Sequence, residues 1–416
     1  MDILIACCAG LDVHKDSVEV CVREVEAGRK LRHQMRRWAT TTRDLMAMAE
    51  WLKVAGVTHV AMESTGVYWK PIFNVLDSDF EVLLVNARRI KHVPGRKTDV
   101  ADCQWIAQLL QHGLLKGSFI PPRWQRELRD LTRQRAQVTD ESTRIRKRIQ
   151  KLLEDANLKL GSVATNVVGV SGRLMLEAMV RGQNDPAQLA HLARATLRKK
   201  IPQLQEALYG NLTEHHRWML RLLLDQLDST EQFIVRLDER IAELTRPHQP
   251  ALEKLDAIPG INRRLAEVVM AEIGPDMTPF PSAAHLASWA GMCPGNHESA
   301  GKKKRGKTTK GSRWLRQAMV QAAWAASHKK DSYFYAHARN LMRRRGATRG
   351  LVAVAHSLLL VIYHVLKRNT EYRDLGPDFL DRMREKHLVR FHLKRLQQLG
   401  LTVTVQPQAA SPPTAA

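Results

Sequence analysis

Cysteines are scarce in this sequence, and none of them is spaced for metal binding. The 416 residues include five cysteines, at positions 7, 8, 21, 103 and 293, and no Cys-x-x-Cys pair occurs. This spacing excludes a zinc site built on cysteine pairs. We expect five buried, reduced thiols in a cytoplasmic protein.

The sequence also lacks a long apolar run and a leader. We find no stretch of about 18 consecutive apolar residues, which is the length needed to cross a bilayer. Residues 1–8 lack the basic segment that begins a signal peptide and run directly into a predicted strand. We therefore predict no membrane association.

Acidic residues are the third deficit. The chain has 42 Asp and Glu against 65 Lys and Arg, which gives a formal net charge of +23. An excess of this size, in a chain long enough for two or three domains, predicts a polyanionic partner. Because no membrane segment is predicted, nucleic acid is the partner that fits.

The spacing of apolar residues divides the chain into three domains and an extension. We predict an α/β domain over residues 1–122, a helical, coiled-coil region over residues 123–250 and a mainly α domain over residues 251–370. Residues 371–416 form a C-terminal extension whose Pro- and Ala-rich end is predicted to be disordered. The α/β prediction rests on strands over residues 3–11, 17–25, 57–62 and 80–85, and on helices over residues 42–52 (capped by Thr42), 66–76 and from 99 onward.

The helical region carries half of a heptad pattern. Leu131, Val138, Ile145 and Leu152 recur every seven residues. The second core position of this heptad would be filled by Gln134, Glu141, Arg148 and Asp155, which are all polar. A coiled-coil hairpin is predicted on the first series alone.

The C-terminal domain contains a turn that resembles a helix-hairpin-helix. In Pro259-Gly260-Ile261-Asn262 the usual second glycine is replaced by Asn262, a residue that tolerates left-handed geometry. Such a turn presents backbone N–H groups to phosphate. We expect the tyrosines Tyr333, Tyr335 and Tyr363 in the core or at an interface, not as nucleophiles. We expect the histidines His356 and His364 to be buried and hydrogen-bonded, not metal ligands.

Four acids stand where strands end and a helix begins. Asp12 ends the first strand, Glu63 ends a later strand, and Asp99 and Asp102 share one face of a helix at i and i+3. Acids in these places are typical of RNase H-like nucleases, in which carboxylates bind divalent metal beside a phosphodiester. Taken singly, each acid could equally be a surface or helix-capping residue.

A second group of candidate residues surrounds a serine. Ser299 precedes a glycine-containing basic segment with no acid in it. Such a segment would follow a phosphate backbone, and its charge could stabilise attack by Ser299 on phosphorus. The alternative is a serine that only contacts phosphate. The basic residues predicted to bind nucleic acid are Lys302, Lys303, Lys304, Arg305, Lys307, Lys310, Arg313 and Arg316.

Together these motifs resemble one family. Leu11-Asp12-Val13-His14-Lys15, Glu63-Ser64-Thr65-Gly66, Lys97-Thr98-Asp99-Val100-Ala101-Asp102 and Ser299-Ala300-Gly301-Lys302 are similar to the motifs of insertion-sequence transposases with a RuvC-like DEDD domain. These are recombinases guided by a bridge RNA, and they are related to pilin-gene invertases. The resemblance covers roughly residues 5–370. Some members place Gly directly after the serine, where this chain has Ala300.

The resemblance implies a fold and a reaction. The fold would be an α/β RNase H-like (RuvC-like) domain, a helical coiled-coil insertion and a mainly α C-terminal transposase domain. Ser299 would form a phosphoserine link with double-stranded DNA, and Asp12, Glu63, Asp99 and Asp102 would bind Mg²⁺. A bridge RNA would choose target and donor, and the protein would act as a homo-oligomer, a dimer or a tetramer.

Two other functions fit the same residues. In a metal-dependent nuclease or junction resolvase, the acids would activate water and Ser299 would be passive. In a non-catalytic nucleic-acid-binding protein, loss of the acids would leave binding unchanged. Clustered carboxylates argue against the second alternative, because they repel phosphate unless a metal lies between them.

Overall fold

A computed structural model describes residues 3–25, 31–64, 66–86, 102–293, 298–299, 302–303, 308 and 310–401. The chain divides into two compact units, Met1–Ile120 and Pro121–Ala416. An α/β N-terminal unit followed by a helical part agrees with the predicted fold class at that level. The finer subdivision at residues 122, 250 and 370 stays a prediction.

The first unit is built on a five-stranded mixed sheet in the order β3-β2-β1-β4-β5. The strands β1, β2 and β3 form an antiparallel meander, whereas β4 and β5 run parallel to β1. A parallel pair needs a crossover connection, and helices supply both of these crossovers. The strands are β1 (Cys7–Val13), β2 (Ser17–Val25), β3 (Leu31–Ala39), β4 (His59–Glu63) and β5 (Glu81–Val85).

Helices cover both faces of this sheet. On one face α1 (Thr42–Val54) and α2 (Trp69–Leu76) pack over a core that includes Leu11 and Met62. On the other face α3 (Asp102–Gln111) packs over Cys8 and Ala61. Because successive side chains of a strand point to opposite faces, the residues next to Leu11 and Met62 face α3.

The structure corrects the predicted elements of this unit in three places. The first strand begins at Cys7 and runs through Asp12 to Val13. The cap of α1 is Thr41, whose hydroxyl accepts the Asp44 N–H at 3.3 Å, and not Thr42. Strand β3 was not predicted at all, because most of its residues are exposed and it carries no alternating apolar pattern.

The second unit begins with a long antiparallel helical hairpin. Its arms are α4 (Arg123–Asp155) and α9 (Glu214–Thr245). Ion pairs join the arms along their length, including Arg135 to Asp238 at 2.5 Å. The pairing partners run in opposite directions along the two arms, which makes the arms antiparallel.

The seam of the hairpin differs from the predicted heptad. Val138 and Ile145 are buried as predicted, but Leu131 and Leu152 are only partly so. The second series lies one residue later than expected and contains a buried serine, which is why the apolar pattern did not reveal it. Its members include Ser142 and Ile149.

Four short helices lie between the two arms and share one hydrophobic core. This core includes Leu160, Met175, Leu204 and Leu220, each fully buried. The helices are α5 (Leu160–Val163), α6 (Val170–Val180), α7 (Pro186–His191) and α8 (Ile201–Ala207), with a 3-10 turn at Ala195–Lys200.

The rest of the second unit, as far as the structure describes it, consists mainly of helices and contains one short ladder. A 3-10 turn at Arg246–His248 leads out of the hairpin. The helices are α10 (Gln249–Asp256), α11 (Arg263–Ile273), α12 (Ala283–Trp289), α13 (Arg313–Ala326), α14 (Tyr333–Arg345), α15 (Ala347–Arg368) and α16 (Phe379–Gln398). The ladder pairs β6 (Glu298–Ser299) with β7 (Lys302–Lys303).

The α10–α11 turn is stabilised differently from the expectation. Asn262 is extended, with φ −108°, and its side-chain oxygen caps α11 by accepting the Leu265 N–H at 3.0 Å. The left-handed residue is Gly260, with φ +86°. Any side chain there would collide with the Ala322 carbonyl, at 2.2 Å from the added β-carbon. The turn therefore packs directly against the backbone of α13, which requires glycine at position 260.

Helix α15 is a long apolar helix of the second unit. It is the one helix among the described residues with the length and hydropathy of a membrane span. Leu358, Leu359 and Ile362 are completely buried within the unit, as in the core helix of a globular protein. Tyr363 is a core residue as predicted, whereas His364 is exposed and not buried.

Some predicted features lie outside the described residues. They are Asp99, Lys304, Arg305, Lys307 and the C-terminal end, residues 405–416.

Candidate active site

Asp12 and Glu63 lie at the carboxyl ends of neighbouring parallel strands, with Asp12 next to last in β1 and Glu63 last in β4. The ladder between β1 and β4 pairs Leu11 with Met62, and the two acids are the next residue of each strand. They therefore lie side by side, on the face of the sheet opposite to Leu11 and Met62. Strand ends hold side chains rigidly, which suits a site that needs accurate placement.

Gly10 brings helix α3 to this position. A β-carbon added at Gly10 would stand 2.3 Å from both the Ala107 nitrogen and the Cys103 carbonyl oxygen. The backbone of α3 therefore lies directly on β1, which is possible only because Gly10 has no side chain. Asp102 is the first residue of α3 and is thereby brought into electrostatic contact with Asp12.

The environment of Asp12 reflects this crowding of acids. Burial raises the pKa of Asp12, and the negative charges of Asp102 and Glu19 raise it further. His14 acts in the opposite direction, with its Nε2 atom 3.2 Å from Asp12 Oδ2. Negative charge thus accumulates at one end of β1.

Glu19 belongs to this group although it was not predicted. It lies directly opposite Asp12 in the β1–β2 ladder, on the same face of the sheet. The signal was in the sequence, because the tight turn after Val13 sets the register and Val18 and Val20 mark the opposite face. In the structure that turn is closed by the His14 N–H, which donates to the Ser17 carbonyl at 2.9 Å.

The donor set fits a hard divalent cation. Carboxylate oxygens are the protein ligands that Mg²⁺ prefers. A cation beside Asp12 would offset the burial and the neighbouring negative charges that raise the pKa of this carboxyl group. Within the residues that the structure describes, no group of three or more His, Cys, Asp or Glu is already arranged to hold a metal. The structure thus brings Asp12, Glu63 and Asp102 to one end of the sheet without forming a complete ligand shell.

Ser299 lies in the second unit, within what we call the serine loop, residues 292–310. Its backbone pairs with Lys302 in the β6–β7 ladder. Lys303 pairs with Glu298 in the same ladder. Ser299 is therefore the last residue of β6, opposite a lysine in an antiparallel pair.

The two ends of the serine loop are held together. Gly311 lies against Ala290, and a β-carbon at Gly311 would be 2.3 Å from the Ala290 carbonyl oxygen. Arg316, in the first turn of α13, donates to the Gly291 carbonyl oxygen. The loop therefore leaves and re-enters the helical unit at a single point.

The remaining predicted basic residues differ in their surroundings. Lys310 and Arg313 are exposed, and the Arg313 guanidinium lies 4.6 Å from the centre of the Trp314 ring. Arg316 is partly buried by its contact with Gly291. Their predicted contacts with nucleic acid stay predictions.

Two family profiles match separate parts of the chain. A profile described as "Transposase" matches residues 9–157, and one described as "Transposase IS116/IS110/IS902 family" matches residues 252–339. Together the two profiles cover more than half of the chain. The chain belongs to the IS110 family of transposases.

Similarities to individual proteins support this family assignment. The chain is 32% identical over 143 residues to the "Insertion element IS110 uncharacterized 43.6 kDa protein" of Streptomyces coelicolor, covering 34% of this chain and 35% of that protein. It is 29% identical over 157 residues to the "Pilin gene-inverting protein" of Moraxella bovis, covering 36% and 48%. It is 25% identical over 183 residues to the "Transposase for insertion sequence element IS1111A" of Coxiella burnetii, covering 42% and 49%. The matches thus span at most about half of the length of these relatives.

The matched ranges of the IS110-family transposase coincide with the two groups of candidate residues. The first range contains the acids at the end of β1 and the whole of α4. The second contains α11, the serine loop and α13. The whole of the hairpin's second arm, α9, and the four short helices lie between the two ranges.

Proposed function

We propose that this chain is a DNA recombinase that cuts and rejoins double-stranded DNA through a phosphoserine link. The observation that carries the proposal is the contact of Gly10 with α3, because it gathers acids from remote parts of the sequence. Family membership supports the same reaction class. The strand order β3-β2-β1-β4-β5 supports an RNase H-like (RuvC-like) fold for the first unit.

In this proposal Ser299 supplies the nucleophile. Its Oγ atom forms a bond to the scissile phosphorus, the bond from phosphorus to one deoxyribose oxygen breaks, and the serine proton ends on the departing hydroxyl. Attack by the hydroxyl of another strand reverses the step and releases the serine. One phosphoester replaces another at each step, so no external energy source is needed.

The acids would position the phosphate for this attack. Asp12, Glu63, Asp99 and Asp102 are the proposed Mg²⁺ ligands, and Glu19 adds negative charge beside Asp12. When bound, Mg²⁺ would neutralise the charge that develops on the phosphoryl oxygens. The acids belong to the first unit and Ser299 to the second, which fits a site assembled in a homo-oligomer, a dimer or a tetramer.

The proposed partners are double-stranded DNA and a structured bridge RNA encoded by the element. The formal net charge of +23 supports binding of two polyanionic partners, DNA and RNA. A protein guided by base pairing reads chiefly backbone and shape, which fits the abundance of Lys and Arg. Sequencing of RNA that co-purifies with the protein tests this part of the proposal.

Trapping of a covalent adduct tests the serine route. Purified protein is incubated with Mg²⁺, its co-purified RNA and labelled DNA, and adducts that resist denaturation are counted. We expect Ser299→Ala to abolish the adduct, and the exposed Ser229→Ala on α9 to leave it intact. Asp12→Asn is expected to abolish it also, with the exposed turn residue Asp16→Asn as its control.

A metal-dependent nuclease or junction resolvase is the second candidate, and the crowding of acids around Asp12 favours it equally. It predicts that DNA cutting survives Ser299→Ala and is lost in Asp12→Asn. That pair of results would replace the serine route with attack by water.

A further inference from the structure

Glu272 is a buried carboxylate near the C-terminal end of α11, and only 1% of its side chain is exposed. A buried charge is tolerated only where its oxygens are paired. The partners of Glu272 come from two other segments of the second unit, helix α4 and Ser312, the second residue after the serine loop. This single side chain therefore connects three parts of the fold.

On the α4 side, an arginine binds both carboxylate oxygens of Glu272. Arg133 donates from Nε to Glu272 Oε1 at 2.9 Å and from Nη2 to Oε2 at 3.1 Å. One turn earlier, Arg129 donates from Nε to the Ala271 carbonyl at 2.8 Å. Gln125 donates to the same carbonyl at 3.1 Å. Three successive turns of α4 thus hold the end of α11.

The loop side of the cluster depends on Ser312. Its Oγ atom donates to Glu272 Oε2 at 2.9 Å. Ser312 Oγ also accepts the Leu315 N–H at 3.2 Å and so caps α13. Ser312 directly follows Gly311, which is pressed against Ala290 at the start of the loop. Glu272 therefore fixes the point at which the chain leaves the serine loop.

We infer that Glu272 is a positioning residue for the serine loop, acting through Ser312 and coupled to helix α4 through Arg133. The geometry favours this role over simple stabilisation, because buried ion pairs contribute little that apolar packing could not replace. A carboxylate can instead hold a guanidinium and a hydroxyl in fixed directions at once. The inference rests on the proposed function, in which Ser299 reacts.

The test compares two serines that both cap helices and both donate a second hydrogen bond. Ser312 donates to Glu272, whereas Ser332 caps α14 and donates to the Lys329 carbonyl at 2.7 Å. We expect Ser312→Ala to slow adduct formation about tenfold or more with DNA affinity unchanged, since small misplacements cost rate and not binding. Ser332→Ala is expected to leave the rate within about twofold, and Ser312→Thr, which keeps the hydroxyl, to restore it.

Glu272→Gln is the direct variant, and Arg133→Gln tests the link to α4. Hydrogen exchange of the serine-loop peptide in the full-length chain is measured for every variant, since it reports the loop without relying on catalysis. We expect faster exchange of this peptide in Glu272→Gln, Arg133→Gln and Ser312→Ala, and no change in Ser332→Ala. If Glu272→Gln fails to fold, the three serine variants decide.

Equal rates and equal exchange in Ser312→Ala and Ser332→Ala would overturn the inference. So would a failure of Ser312→Thr to restore the rate. If the unaltered protein forms no adduct, the proposed function fails by itself. The exchange data then decide whether Glu272 holds the loop.

Discussion

Gly10 lies so close to Ala107 that strand β1 and helix α3 touch through their backbones. An added β-carbon would stand 2.3 Å from the Ala107 nitrogen, well inside van der Waals contact. The contact sets the distance between Asp12 at the end of the strand and Asp102 at the start of the helix. A single residue without a side chain thus determines whether the acids meet.

Gly10→Ala is therefore expected to displace α3 and separate the two acids. Overpacking of this kind costs about 1–3 kcal/mol of unfolding free energy. Chemical denaturation measures the stability, and the adduct assay measures activity. Gly117→Ala is the matched control, because its β-carbon would meet only Leu83, at 3.4 Å. Equal behaviour of the two variants would contradict the role given to Gly10.

Glu19 is expected to contribute to cation binding. Glu19→Gln removes one of the negative charges beside Asp12 and should weaken Mn²⁺ binding by about threefold to tenfold, a coupling of roughly 1 kcal/mol. Titration of Mn²⁺ followed by its paramagnetic signal measures the affinity, with Mn²⁺ standing in for Mg²⁺.

Two further variants calibrate that titration. Asp12→Asn should weaken Mn²⁺ binding more than Glu19→Gln does, because Asp12 is a proposed ligand. Glu24→Gln, an exposed position farther along β2, should have no effect. If Glu19→Gln resembles Glu24→Gln, Glu19 has no part in the site.

The corrected seam of the α4–α9 hairpin can be tested with neighbouring residues. Ile149 is completely buried, so Ile149→Ala should cost about 2–5 kcal/mol of unfolding free energy. Arg148, which the sequence heptad put in the core, is exposed, and Arg148→Ala should change stability by less than about 0.5 kcal/mol. Denaturant unfolding of the full chain provides both values, and the reverse order would restore the heptad first predicted.

Lys310 and Arg313 are exposed and should contact phosphate if the loop binds nucleic acid. Each phosphate contact adds about −0.9 to the slope of log affinity against log salt for duplex DNA. Lys310→Ala and Arg313→Ala should each make the slope shallower by about that amount. Arg240→Ala is the control, since Arg240 is paired with Glu243 at 2.7 Å. Unchanged slopes in both loop variants would place the DNA elsewhere.

Much of the first unit follows from the sequence because its strands are patterned. Val18, Val20 and Val22 alternate, and the predicted strand over residues 17–25 matches β2. Strand β3 has no such alternation. Its pairing with β2 depends on backbone hydrogen bonds, which leave no mark in the sequence.

The candidate site was predicted in part for the same reason. Asp12 and Glu63 end patterned strands, so their proximity could be expected. Glu19 and Glu272 were missed, because a charged residue within a strand or helix is usually solvated and only the partners reveal its role. Ser142 hid the hairpin seam in a similar way, as a polar residue in a buried position.

The two arms of the hairpin end side by side, where His216 Nε2 lies 3.0 Å from Asp155 Oδ2. The chain therefore enters and leaves the segment of four short helices at the same end of the hairpin. The segment also packs on both arms, because Ile149 and Leu220 belong to the same buried core as its four helices. Any change in this segment must therefore keep the apolar face that it shares with the arms, although it lies between the ranges that the two family profiles match, residues 9–157 and 252–339.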